Sequence, residues 1–185
     1  MTVAPHRPKI LLVDDRPENL VTLQAILQSL DLDIVTATSG EQALKQLLVE
    51  DFAAILLDVQ MPGMDGFETA EHIKHRERTR HIPIIFLTAI DREPDHTFRG
   101  YAVGAVDYLS KPFDPWVLRA KVNVLVELYE KARQLEEHAA QLSRRIDVDS
   151  TAAWLEELAR AADNGLPIEE LSARLRAKAR TLRDR

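Results

Sequence analysis

Five polar groups stand directly behind short apolar runs, and their types suit chemistry on an anionic group. Asp14 and Asp15 follow Lys-Ile-Leu-Leu-Val, and Asp58 follows Ala-Ala-Ile-Leu-Leu. Thr88 follows Ile-Pro-Ile-Ile-Phe-Leu, and Lys111, with Pro112 after it, follows Asp-Tyr-Leu-Ser. Three carboxylates brought together repel one another and need a bound cation to stay ionised. Magnesium suits such a group because it takes hard oxygen ligands, keeps several waters and is held by one or two carboxylates plus a phosphate oxygen. Asp15 and Asp58 are the expected ligands, with Asp14 assisting directly or through water.

These groups meet only if the runs before them are parallel strands. The pattern predicts strands at 9–14, 33–37, 53–58, 83–88 and 106–109, and helices at 17–30, 40–49, 66–76, 94–103 and from 115 onward. Strand and helix alternate five times, which predicts an α/β fold: a doubly wound, five-stranded parallel sheet covered on both faces. Strand ends of one polarity then gather on one edge, where open α/β sheets place their sites. Pro17, Pro94 and Pro115 suit first helical positions, Asp114 suits the cap before Pro115, and Ser39 or Gly40 suits another helix start.

Beyond residue 118 the pattern changes to heptads. Leu118, Leu125, Ala132, Ala139 and Ile146 share one register, and Leu128, Leu135 and Leu142 fall three residues later. This predicts an extended helix with a coiled-coil seam over 118–146. Lys131 and Glu136 take flanking positions that pair across a parallel dimer, although an exposed pair is worth only ~0.2 to 1 kcal/mol. Two readings of the stripe stay open: a homodimer, or an intramolecular bundle with the tail. Asp147-Val-Asp-Ser-Thr predicts a break in the helix, after which a helical hairpin over 150–185 turns at Asn164-Gly165, with Trp154, Leu155 and Leu158 facing Ile168, Leu171 and Leu175.

Composition bounds the partners. With 185 residues and 45% hydrophobic content, the chain can build one packed domain plus an appendage. The absence of cysteine excludes a disulfide framework and cysteine-based zinc sites. No apolar run approaches the roughly 18 residues needed to cross a bilayer, so a soluble, cytoplasmic protein without a membrane partner is expected. A net charge of -6 argues against a surface wholly devoted to nucleic acid.

Residues 8 to about 128 resemble the receiver domain of bacterial two-component response regulators, in the stretches Val-Asp-Asp-Arg-Pro-Glu-Asn-Leu, Leu-Asp-Val-Gln-Met-Pro-Gly-Met-Asp-Gly, Leu-Thr-Ala and Gly-Ala-Val-Asp-Tyr-Leu-Ser-Lys-Pro-Phe. The order and spacing of these stretches make the resemblance specific, and it does not extend over the last third of the chain. It implies a flavodoxin-like fold, a Mg²⁺ site to which the main-chain carbonyl of Gln60 contributes, and a phosphohistidine on a sensor histidine kinase as donor. Phosphoryl transfer asks for a nucleophile and for positive charge around the transferred group. Asp58 is the expected nucleophile, giving an acyl phosphate, with Lys111 neutralising oxygen charge and Thr88 donating a hydrogen bond. The resemblance also implies a switch in which Thr88 moves toward the phosphoryl group and the ring of Tyr108 turns inward, and it places Gln60 and Ile90 where they tune hydrolysis. Lys111-Pro112 is a candidate cis peptide that would aim Lys111 into the site. The readout surface is expected on the 94–103 helix, the 106–109 strand and the start of the following helix.

For output, an interaction regulator with an unidentified downstream protein partner is the first reading. A nucleic-acid (RNA or DNA) regulator is the alternative, resting on Arg174, Arg176, Lys178, Arg180, Arg183 and Arg185 against only Asp184. An enzymatic output is not expected, because the residues after the receiver stretch offer no catalytic constellation. His72 and His75 lack an evident third ligand, and His138 sits at a coil flank, so no metal or phosphorelay role is assigned to them.

Overall fold

The structure is a computed structural model and describes residues 7–88, 107–165 and 167–183, with the backbone alone at 144–150 and 181–183. Its elements are β1 (Lys9–Val13), α1 (Pro17–Leu27), β2 (Asp33–Ala37), α2 (Gly40–Val49), β3 (Ala54–Asp58), α3 (Gly66–His75), β4 (Ile84–Thr88), β5 (Asp107–Ser110), α4 (Pro115–Asp163) and α5 (Ile168–Arg183). The expected 94–103 helix, its Pro94 start and Ile90 lie outside the described residues. The chain divides into two compact units, residues 1–132 and 133–185.

In the first unit the five strands form one parallel sheet in the order β2-β1-β3-β4-β5. Side chains alternate across a strand, so each central strand feeds two cores. Leu11, Val13, Ile55, Leu57, Ile84 and Phe86 pack on one face with Ala43, Leu47, Ala70 and Ile73 of α2 and α3. Ile10, Leu12, Leu56, Ile85 and Leu87 pack on the other with Leu20, Leu23 and Leu27 of α1 and with Leu118, Val122 and Leu125 of α4. Double-sided burial explains why these strands read as unbroken apolar runs.

Caps set the helix starts. Ser39 accepts from the Gln42 amide at 3.2 Å and Asp65 from the Glu68 amide at 2.8 Å. Asp114 accepts from the Trp116 amide at 2.7 Å, as its place before Pro115 predicts.

Leu118 is fully buried and Leu125 nearly so, both in the sheet core. The expected seam therefore loses its first two positions to the receiver fold. Leu128, Leu135 and Leu142 stay open, at 61%, 69% and 62% exposure.

The expected break at 147–151 is absent, and α4 runs unbroken to Asp163. Residues that favour caps cost only about 0.5 kcal/mol each inside a helix, and without Pro or Gly a helix already nucleated continues through them. The turn falls at Asn164-Gly165 as expected. Gly165 takes φ +84° and its amide donates to the Ala162 carbonyl.

In the second unit Thr151, Trp154, Leu158 and Ala161 are half-buried at helical spacing, matched by Leu171, Ser172 and Lys178 of α5. The Lys178 ammonium lies 5.7 Å from the centre of the Trp154 ring. Counting antiparallel from that contact at 1.5 Å per residue, α5 ends about opposite residue 149, roughly 10 Å short of Leu142. The hairpin thus does not cover Leu135 or Leu142.

Candidate acidic phospho-acceptor site

Strand register brings the five polar groups to one edge. Val13 pairs with Leu57, so Asp14 and Asp58 leave their strands in step. Asp58 pairs with Leu87, which sets Thr88 one residue further, and Thr88 pairs with Ser110, which sets Lys111 one further again. Only a long side chain spans that stagger. The Lys111 ammonium reaches back to lie 2.8 Å from both Asp14 Oδ2 and Asp58 Oδ1. Its own main-chain amide donates to the Thr88 carbonyl, and the Lys111-Pro112 peptide is cis, the isomer named as a candidate.

Close backbone packing holds Asp58 in place. The Gly66 amide donates to the Val59 carbonyl at 3.0 Å, and a Cβ on Gly66 would stand 2.2 Å from the Asp58 carbonyl oxygen. The start of α3 is therefore pressed against the chain leaving β3, in an approach that only glycine permits. Gly63, within the Met-Pro-Gly-Met turn between them, has φ +76°.

Ligand oxygens of Asp14, Asp15 and Asp58 lie within 4.8 Å of one another. Lys111 supplies one positive charge against three carboxylates, which leaves two negative charges for a divalent cation to balance. Asp14 is fully buried and Asp58 nearly so, whereas Asp15 is half-exposed. Burial pushes the Asp58 carboxyl above its ordinary value, and the Asp14 and Asp15 charges add to that push against the opposing pull of Lys111. Burial disfavours the charged form of Lys111, but its hydrogen bonds to Asp14 and Asp58 prevail and raise its value. The donor set fits magnesium: hard oxygens, excess negative charge and an approach through Asp15.

Of the other expected residues, Gln60 is exposed two places beyond Asp58, and Thr88 is half-buried at the end of β4. The Tyr108 ring already packs inward, 5.2 Å from Phe86, which in turn lies 5.0 Å from Phe67. Asn19 was absent from the expected site. Its amide donates to both Asp14 oxygens, at 2.8 and 3.0 Å, and the Arg16 amide adds a further hydrogen bond at 3.0 Å. An asparagine in the first turn after Pro17, five residues from Asp14, was the available signal. An open groove of about 270 Å³ beside Lys111 is lined by Asn19, Leu23, Ile26, Phe113 and Pro115.

A doubly wound sheet with an acidic, lysine-bridged pocket at its carboxyl edge marks the class of open α/β domains that carry their sites at the strand ends. Within that class the chain belongs to the response regulator receiver domain family, whose model matches residues 10–123. It is 38% identical over 145 residues to the response regulator PleD of Caulobacter vibrioides, covering 78% of this chain and 32% of PleD. To the alkaline phosphatase synthesis transcriptional regulatory protein PhoP of Bacillus subtilis it is 39% identical over 124 residues, covering 67% of this chain and 50% of PhoP. The chemotaxis protein CheY4 of Vibrio cholerae superposes with a TM-score of 0.61 at 32% identity, over 65% of this chain and 99% of CheY4. The chain spans half or less of the two sequence relatives, so their whole-protein outputs do not come with the match. Among the described residues no helix is long and apolar enough to cross a membrane.

Proposed function

We propose that Asp58 accepts a phosphoryl group from a sensor histidine kinase in a Mg²⁺-dependent reaction and that the modification governs assembly through α4 and α5. The observation that carries this is Lys111 bridging Asp14 and Asp58 at the edge where the three carboxylates converge. A carboxylate oxygen of Asp58 attacks phosphorus, the bond from phosphorus to the donor imidazole breaks, and the imidazole takes up a proton. Asp15 and Asp58 would hold the ion, with Asp14 behind them and the Gln60 carbonyl as a further oxygen; when bound, it balances charge on the carboxylates and phosphoryl oxygens. Lys111 turns from Asp58 to the new phosphoryl oxygens, and the Thr88 hydroxyl donates to them. Tyr108, packed on Phe86, follows that movement on β5. The groove beside Lys111 leaves apolar ground on which a protein donor can settle.

Output runs through the seam. Leu128, Leu135 and Leu142 repeat every seven residues and remain exposed, with α5 too short to cover the last two. A second copy in parallel register covers them and brings Lys131 of each copy to Glu136 of the other. The modified pair then engages a downstream protein in the cytoplasm. Two cations of the tail have partners within it, Arg174 with Glu170 and Lys178 with Trp154, which weakens the case for a nucleic-acid output.

The test is labelling with a small acyl phosphate and Mg²⁺, followed by mass measurement in solution. Asp58→Asn abolishes both the label and any donor-dependent change in mass. Unchanged labelling would reject Asp58 as the acceptor.

A further inference from the structure

We infer that Asn19 is a positioning residue for Lys111: by satisfying the Asp14 carboxylate, it leaves the lysine shared with Asp58 instead of bound to Asp14 alone. The inference rests on the phospho-acceptor reading and goes one step deeper into the same pocket.

Asp14 is fully buried, and a buried carboxylate must have its oxygens hydrogen-bonded. Three groups meet that need: the Arg16 amide, the Asn19 carboxamide across both oxygens, and the Lys111 ammonium. Two of these are neutral. The third is the only charged one, and it is the group that also serves Asp58. Asn19 sits in the first turn of α1, behind Pro17, with its main-chain amide bonded to the Arg16 carbonyl, so its side chain is aimed from a rigid base. Without that carboxamide, Asp14 keeps one amide donor and the lysine. The remaining electrostatic demand of a buried charge then falls on Lys111, which moves toward Asp14 and away from Asp58.

This arrangement accounts for a neutral donor at that position. A lysine or arginine in place of Asn19 would satisfy Asp14 more strongly, but it would also cancel charge that holds the divalent ion. A carboxamide orients the acid and leaves the pocket's charge intact. Asn19 and Lys111 therefore divide the work on Asp14, and the share taken by Asn19 sets how freely Lys111 serves the phosphoryl group.

A double-mutant cycle tests the coupling. With a small acyl phosphate as donor at saturating Mg²⁺, Asn19→Leu, close in size but with no donor, lowers the labelling rate about tenfold. Asn19→Gln, which keeps the carboxamide, recovers it to within about threefold. In a Lys111→Met background, where there is no lysine to redistribute, Asn19→Leu changes the residual rate by less than about twofold. In Mg²⁺-free protein, the carboxyl ¹³C resonance of Asp58 moves in Asn19→Leu toward its position in Lys111→Met. An equal loss in both backgrounds, or an Asp58 resonance unmoved in Asn19→Leu, overturns the inference. If wild type takes no label at all, the phospho-acceptor reading fails, and the Mg²⁺-free resonance still decides the role of Asn19.

Discussion

The two units solve the problem of apolar surface in opposite ways. In residues 7–132 each central strand buries both faces, and α4 contributes Leu118, Val122, Leu125 and Val126 to a closed core. In residues 133–185 every described side chain is at least partly exposed, and Leu135, Leu142, Leu155, Ile168 and Leu175 are open to solvent. The same helix supplies leucines to both units: Leu118 and Leu125 are buried in the sheet core, whereas Leu135 and Leu142 stay exposed. The first unit can carry precise chemistry because its strand ends are held by a core. The second has the character of a surface waiting for a partner, and its two helices are too thinly packed to be stable on their own.

The sharpest way to break this contrast is to make one substitution in both places. Leu56→Ala removes a fully buried side chain and is expected to cost about 2 to 5 kcal/mol in denaturant unfolding. Leu135→Ala should shift the same unfolding transition by less than about 0.5 kcal/mol at low protein concentration. Comparable losses would erase the distinction between the units.

Next in size is the effect on assembly. Leu135→Glu with Leu142→Glu places carboxylates along the exposed stripe and is expected to convert the proposed dimer to monomer in analytical ultracentrifugation, with the labelling of Asp58 retained. A dimer that survives both changes would move the interface away from the seam.

A pH profile sharpens the comparison from the side of the pocket. Asp58 must be ionised to attack, and burial raises its carboxyl above the ordinary value while Lys111 pulls it down. The labelling rate should therefore fall on acidification at a higher pH than an ordinary aspartate would impose. Lys111→Met should move that acid limb further upward. Because the folded state holds this proton more tightly than the unfolded chain does, acidification through the raised value favours the folded state at this one site, the reverse of the usual aspartate. The second unit holds its cation differently, with the Lys178 ammonium set over the Trp154 ring. Lys178→Gln should cost the hairpin only about 0.5 to 1 kcal/mol, read as a small loss of helicity on heating.

Most of the sheet was legible because each strand is a short apolar run that ends on a polar group. The predicted 33–37 strand and 40–49 helix match β2 and α2 residue for residue, and the other described receiver elements agree within three residues at each end. The gathering of Asp14, Asp15, Asp58 and Lys111 was legible for the same reason, since parallel strands align their ends. Asn19 escaped notice because asparagine near a helix start ordinarily reads as a turn or capping residue. Its role depends on an acid five positions earlier being buried. The continuity of α4 through 147–151 was hidden by residues whose local preference is for caps, a preference weaker than the propagation of a long helix.

Sequence alone determined the alternation of elements and the polar group at each strand end, because periodicity and strand termination are local properties of the chain. Only the tertiary structure decided that Leu118 and Leu125 face a sheet while Leu128, Leu135 and Leu142 face solvent, although all five lie on one heptad pattern. It likewise decided that one lysine bridges two aspartates and that an asparagine holds one of them. Those outcomes depend on what stands opposite each side chain, and the neighbours that matter are dozens of residues away along the chain.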